Sequence, residues 1–145
     1  MRPNIHEYFM KMAEVASTMT TCKRRAVGAI IVKDKQVLST GYNGAPKNTY
    51  HCIDRGCMRD ELGIPSGKSP ELCRAVHSEQ NAIIQAALNG RNTCGATIYC
   101  THQPCVICAK MIINAGITTV VYRNDYPDDF SLELMKEAGL KLIKL

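Results

Sequence analysis

Ala96-Thr97-Ile98-Tyr99-Cys100, Pro104-Cys105-Val106-Ile107-Cys108-Ala109-Lys110-Met111-Ile112-Ile113-Asn114 and Ile117-Thr118-Thr119-Val120-Val121-Tyr122 follow one another closely in this chain. The first and third runs are short, apolar and rich in β-branched residues, which predicts strands over 96–100 and 118–122. The middle run opens on a proline and stops before Gly116, which predicts a helix over 105–114. The same logic predicts a helix over 131–138 and a last strand over 140–143. Strand and helix thus alternate through the C-terminal half, the pattern of a partly parallel sheet with helices packed on it.

On the N-terminal side, a helix is expected over 77–89, with Ala82, Ile83, Ala86 and Ala87 facing the core and Asn89-Gly90 as its stop. Residues 26–32 read as a buried strand and 37–42 as a second, joined by Lys33-Asp34-Lys35 into an antiparallel hairpin. Ile5, Tyr8, Phe9, Met12, Ala16 and Met19 fall at helical spacing, so an amphipathic helix is expected over 4–19, with these side chains as core. Between hairpin and mid-chain helix, residues 43–74 carry many glycines and prolines and little periodicity. A loop of that length in a compact domain is usually functional or held by something.

The chain has 145 residues, 46% hydrophobic and 21% charged, and is expected to form one globular domain over 1–145. No apolar run is long enough for a membrane span, and the N-terminus lacks the apolar segment of a signal peptide, so a cytoplasmic location is expected. Eight cysteines in such a chain point to metal or catalysis rather than to disulfides. Cys94 and Cys100 have no ligand spacing and are expected to be small buried hydrophobes. The formal net charge of +5 favours anionic ligands.

Two segments carry chemistry: His77-Ser78-Glu79 and Pro104-Cys105-Val106-Ile107-Cys108. Cys105 and Cys108 are three apart, on one face of a first helical turn. The positive end of a helix favours thiolates there. His77 supplies a third ligand, and three protein ligands leave one position of a tetrahedral zinc open for catalysis. Glu79 opens the other helix, where side chains lean towards the N-terminus, so it can reach the same cavity without binding the metal. A zinc held there would acidify a water to about pKa 7, and Glu79 would move its protons.

H-x-E followed by P-C-x-x-C is the known signature of the zinc deaminases. Beyond it, the chain resembles the deoxycytidylate deaminase family in Arg24-Arg25-Ala26-Val27-Gly28-Ala29, Gly41-Tyr42-Asn43-Gly44-Ala45-Pro46, His51-Cys52 and Glu79-Gln80-Asn81-Ala82-Ile83. The resemblance implies a three-layer α/β/α cytidine deaminase-like fold on a five-stranded mixed sheet, and deamination of dCMP to dUMP for thymidylate synthesis. It implies that Asn43 holds the deoxyribose and Arg25 lies near the phosphate, with Tyr122 and Arg123 closing over the nucleotide. It implies a homo-oligomer, with hexamers activated by dCTP and inhibited by dTTP among the family, and Gly44, Ala45, Pro46 and Lys47 in the regulatory region. The sequence departs from the family at Asn48, where glycine is frequent, and at Ser78, where alanine is usual. Asparagine tolerates positive φ, so the turn is expected to survive.

Family members are also known with a second, structural zinc. Cys22, Cys52, Cys57 and Cys73 would suffice for a Cys₄ site, with His51 or His102 able to replace one, although gaps of 30, 5 and 16 are not those of a compact ribbon. The alternative is four separately buried thiols. Related activities are weighed against the same residues. A free-cytidine deaminase usually has cysteine at the place of His77, and deamination of dCTP is a further alternative. A tRNA adenosine deaminase normally has a much shorter segment than the 33-residue step from Gly44 to His77. A zinc-stabilised nucleic-acid-binding module fits the charge and cysteines but has no use for Glu79, so no nucleic-acid partner is expected.

Overall fold

The computed structural model describes residues 1–145. Helix α1 spans Ile5–Ser17, capped by the Asn4 side chain, which accepts from the Glu7 amide at 2.9 Å. Strands β1 (Gly28–Lys33) and β2 (Gln36–Tyr42) pair antiparallel across a two-residue turn in which Asp34 and Lys35 have φ of 51° and 60°. Both turn residues being left-handed matches the twist of the strands. Two four-residue helices, α2 (Cys52–Arg55) and α3 (Met58–Glu61), and a 3₁₀ turn at Pro70–Leu72 follow. Then come α4 (Ser78–Leu88), β3 (Thr97–His102), α5 (Val106–Asn114), β4 (Thr119–Asn124), α6 (Asp129–Glu137) and β5 (Lys141–Lys144).

The strands form one mixed sheet in the order β2-β1-β3-β4-β5, with β1 antiparallel to both neighbours and β3, β4 and β5 parallel. Alternation along β1 sends Ala29 and Ile31 to one face, against Ala82 of α4, Ala109 and Ile112 of α5 and Met135 of α6. Ile30 and Val32 go to the other face, against Phe9, Met10 and Ala13 of α1. The result is the expected three-layer α/β/α arrangement.

Two glycines let helices approach the hairpin closely. A Cβ at Gly28 would lie 2.0 Å from the Ala13 carbonyl oxygen, and one at Gly41 2.2 Å from that of Ser78. The first explains a correction in α1. Ile5, Tyr8 and Met19, expected as core, are exposed, while Met10 is fully buried. Two apolar stripes compete on this helix, and the one bearing Ala13 is small enough to seat on Gly28.

Other corrections are local. Ala87 is exposed and Ile83 only half-buried, because α4 lays Ala82 and Ala86 on the sheet. Cys94 is exposed in the turn before β3, where its amide donates to Asn92 Oδ1, whereas Cys100 is fully buried as expected. The long 43–74 segment is an excursion whose ends meet. Gly44 and Val76 exchange two backbone hydrogen bonds of 3.1 and 2.7 Å, so the insertion leaves and re-enters the core at one point. No helix is long and apolar enough to cross a membrane.

Candidate active site

The N-termini of α4 and α5 meet at one end of the sheet. His77 is the N-cap of α4, and its amide donates to Gln80 Oε1 at 2.8 Å, fixing the turn that carries the imidazole. Cys105 is the N-cap of α5 and Cys108 lies one turn on. The three ligand atoms of His77, Cys105 and Cys108 lie within 4.8 Å of one another. His77 Nδ1 faces both sulfurs, 3.2 Å from that of Cys108 and 3.5 Å from that of Cys105.

The charge pattern suits a cation. Cys105 is pushed down to about 4, first by the hydrogen bond from Cys108 and, against the cost of burial, by that from His77. Cys108 is pushed up, first by its hydrogen bond with Cys105 and then by burial. His77 is raised mainly by Cys105. One imidazole and two sulfurs, buried or half-buried and converging without a disulfide, are a donor set that fits zinc.

Glu79 stands beside this triad and outside it. Its side chain is 4% exposed, and burial raises its pKa, partly offset by a hydrogen bond from the Ser78 hydroxyl. A buried carboxyl held partly against ionisation is suited to taking and returning a proton.

His77, Cys105 and Glu79 line a cleft of about 280 Å³, together with Arg24, Arg25, Asn43, Arg59, His102 and Tyr126. The Arg25 guanidinium lies 5.2 Å from the centre of the Tyr126 ring. Asn43 is almost fully buried and ties down the segment before β1 that carries Arg25. Its Nδ2 donates to the Arg25 carbonyl at 2.8 Å, while its Oδ1 accepts from Thr20 Oγ1 and the Val27 amide.

Tyr122 and Arg123 do not reach the cleft, which corrects the expectation that they close over a nucleotide. Tyr122 is 8% exposed and packs in the core beneath α5. Arg123 turns to α1, pairing with Glu7 at 2.6 Å and Glu14 at 2.8 Å. Neither outcome was visible in the sequence, since the parity of a strand end decides the face. Tyr126 and Arg59 were missed as cleft residues because no local spacing marks them, and His102 was considered only as a ligand of the second zinc.

The remaining cysteines share one neighbourhood. Cys52 and Cys57 are buried, Cys22 and Cys73 half-buried. The Cys52 thiol is pushed up first by burial and then by Cys22, Cys57 and Cys73. They do not close to the ligating separation seen in the triad. His51 pairs loosely with Asp54 at 3.9 Å and His102 bonds Thr101, so neither histidine joins them. Asn48, as expected, holds the turn with φ 66°.

Fold and site together are those of the zinc-dependent, cytidine deaminase-like class. Residues 3–124 match the model of the cytidine and deoxycytidylate deaminase zinc-binding region. The chain belongs to that family. It is 38% identical over 143 residues to a deoxycytidylate deaminase of Saccharomyces cerevisiae, covering 97% of this chain and 44% of the yeast protein. It is 40% identical over 136 residues to ComE operon protein 2 of Bacillus subtilis, covering 93% and 68% of the two chains. It thus spans less than half of the yeast relative and about two thirds of the bacterial one. Among solved structures, the dCMP deaminase of cyanophage S-TIM5 in complex with dCMP and dUMP superposes with a TM-score of 0.84 at 35% identity, covering 100% and 99% of the two chains.

Proposed function

We propose that this protein deaminates dCMP to dUMP and ammonia, supplying dUMP for thymidylate synthesis. One observation carries the reading: a buried carboxyl, Glu79, adjoins the His77-Cys105-Cys108 triad at the foot of a cleft rimmed by Arg24, Arg25 and Arg59. When bound, zinc supplies the Lewis acidity that makes water a nucleophile at neutral pH. Glu79 accepts the proton of the attacking water and delivers it to N3 of the cytosine ring. It then carries a second proton to the leaving amine, so water and cytosine become uracil and ammonia. Arg25, braced on Tyr126, offers its free N–H groups to the 5′-phosphate, and Asn43 presents its amide to the deoxyribose.

Two further roles belong to this proposal. Cys22, Cys52, Cys57 and Cys73, which share one neighbourhood around Cys52, would hold a second, structural zinc on drawing closer together than they stand in the metal-free chain. Gly44, Ala45, Pro46 and Lys47 border a second depression with Asn81 and Arg91, a polar and cationic place for the regulatory triphosphates dCTP and dTTP in a hexameric assembly.

The test is ammonia release by zinc-loaded protein from dCMP, dCTP, CMP, deoxycytidine and deoxyadenosine, each with and without added dCTP or dTTP. Preference for dCMP supports the reading, and preference for dCTP replaces it with triphosphate deamination. Glu79→Ala should keep zinc and lose on the order of 10²–10⁴ in kcat. Absence of turnover with every cytosine compound would sink the proposal.

A further inference from the structure

Cys105 occupies the N-cap of α5, yet no side-chain cap closes that helix end from its own residues. Its sulfur faces His77 instead, at 3.5 Å. An N-cap side chain ordinarily satisfies one of the orphan amides of the first turn. A cap at this position serves the second or third amide of the turn and leaves the first, that of Val106, to another acceptor.

That acceptor comes from another connection. Asp128 Oδ2 accepts from the Val106 amide at 2.7 Å, the first residue of α5 and the neighbour of Cys105. Its other oxygen, Oδ1, accepts from the Ser131 amide at 3.0 Å and caps α6. Two more bonds tie the same segments. Gln103 Nε2 donates to the Asp128 carbonyl at 2.9 Å, and the fully buried Ser131 hydroxyl donates to the Pro104 carbonyl at 2.6 Å. Residues 103–106 and 128–131 are thus cross-linked on both sides of Cys105, and one carboxylate serves two helix ends at once.

We infer that Asp128 is a positioning residue of the metal centre: it satisfies the first amide of α5 in trans, so that the turn carrying Cys105 is fixed and its sulfur is held in the direction the metal needs. This rests on the triad being a metal site and is independent of the substrate. Loss of such an outer partner typically costs 10–100-fold in metal affinity. Only a carboxylate offers two acceptor oxygens at this place. A serine supplies one, which suits the N-cap of α6 and leaves Val106 unserved.

The test is cobalt substitution of the wild-type chain and of Asp128→Ala and Asp128→Ser, followed by visible absorption and by chelator competition. The wild type should give the intense bands of tetrahedral, thiolate-bound cobalt. Both variants should bind cobalt at least about tenfold more weakly, with shifted thiolate-to-cobalt bands. Asp128→Ser keeps the α6 cap and decides the matter if Asp128→Ala does not fold. Wild-type affinity and bands in Asp128→Ser would overturn the role, whatever its thermal stability. A wild-type chain without tetrahedral cobalt bands would overturn the metal centre itself, and this role with it.

Discussion

At the scale of single residues, Glu79 is a group whose surroundings oppose its charge. Burial raises its pKa above that of a free carboxyl, so the folded chain binds this proton more tightly than the unfolded chain. Its contribution to stability is therefore present in full below about pH 4 and is lost as pH rises through the raised value. Metal-free Glu79→Gln should accordingly be more stable than metal-free wild type near pH 7, with the difference shrinking in acid. Urea unfolding at several pH values measures this, and a wild type more stable at neutral pH would contradict the burial argument. Two arginines separate the cleft from the scaffold. Arg25→Ala should raise KM for dCMP by roughly 10–100-fold while leaving deoxycytidine little affected, since the loss is one of charge-assisted hydrogen bonds. Arg123→Ala should leave both KM values unchanged and cost no more than about 1 kcal/mol, because its ion pairs with Glu7 and Glu14 are about one-third exposed and screened by solvent.

At the scale of elements, the site depends on how closely α4 rides on β2. The backbone at Ser78 and Ala82 leaves no room for a side chain at position 41, where an added Cβ would meet backbone atoms at 2.2 and 2.6 Å. Gly41→Ala must push α4 away and carry His77 and Glu79 with it. We expect a loss of about 1–3 kcal/mol in stability, together with weakened metal binding, readable by thermal unfolding and by zinc content after dialysis. A variant of native stability and full zinc content would show that α4 tolerates the shift. α5 shows the complementary economy: its own cap position is given over to a ligand, and its amide is satisfied from the next connection. The strands and helices themselves were legible from apolar runs and stop signals, with boundaries displaced by at most two residues. The seating of α1 was not legible, because two apolar stripes were available and only the approach of Ala13 to Gly28 chose between them.

At the scale of the whole molecule, the question is what orders the excursion between Gly44 and Val76. Its ends are pinned by the bridge between those residues, and Cys52, Cys57 and Cys73 lie inside it or at its edge, with Cys22 alongside. If they hold a structural zinc, fully loaded protein should contain two zinc ions per chain. Cys57→Ser should then contain about one, unfold at lower temperature, and keep the cobalt bands of the Cys105-Cys108 centre. One zinc in the wild type by elemental analysis would leave these cysteines as buried thiols.

The sequence by itself determined the sheet-and-helix order, the zinc-binding His-Cys-Cys triad and the place of Glu79 beside it, because each of these rests on local spacing. Cys105 and Cys108 are three apart, and His77 and Glu79 both open one helix. What faces the cleft was decided only by the tertiary structure. Tyr126 and Arg59 line it, Tyr122 is buried beneath a helix, and Arg123 serves α1. The carboxylate of Asp128 reaches a helix that begins 22 residues before it. Such placements follow from how elements twist and pack against one another, and no short-range pattern in a chain encodes the direction in which a side chain leaves the end of a strand.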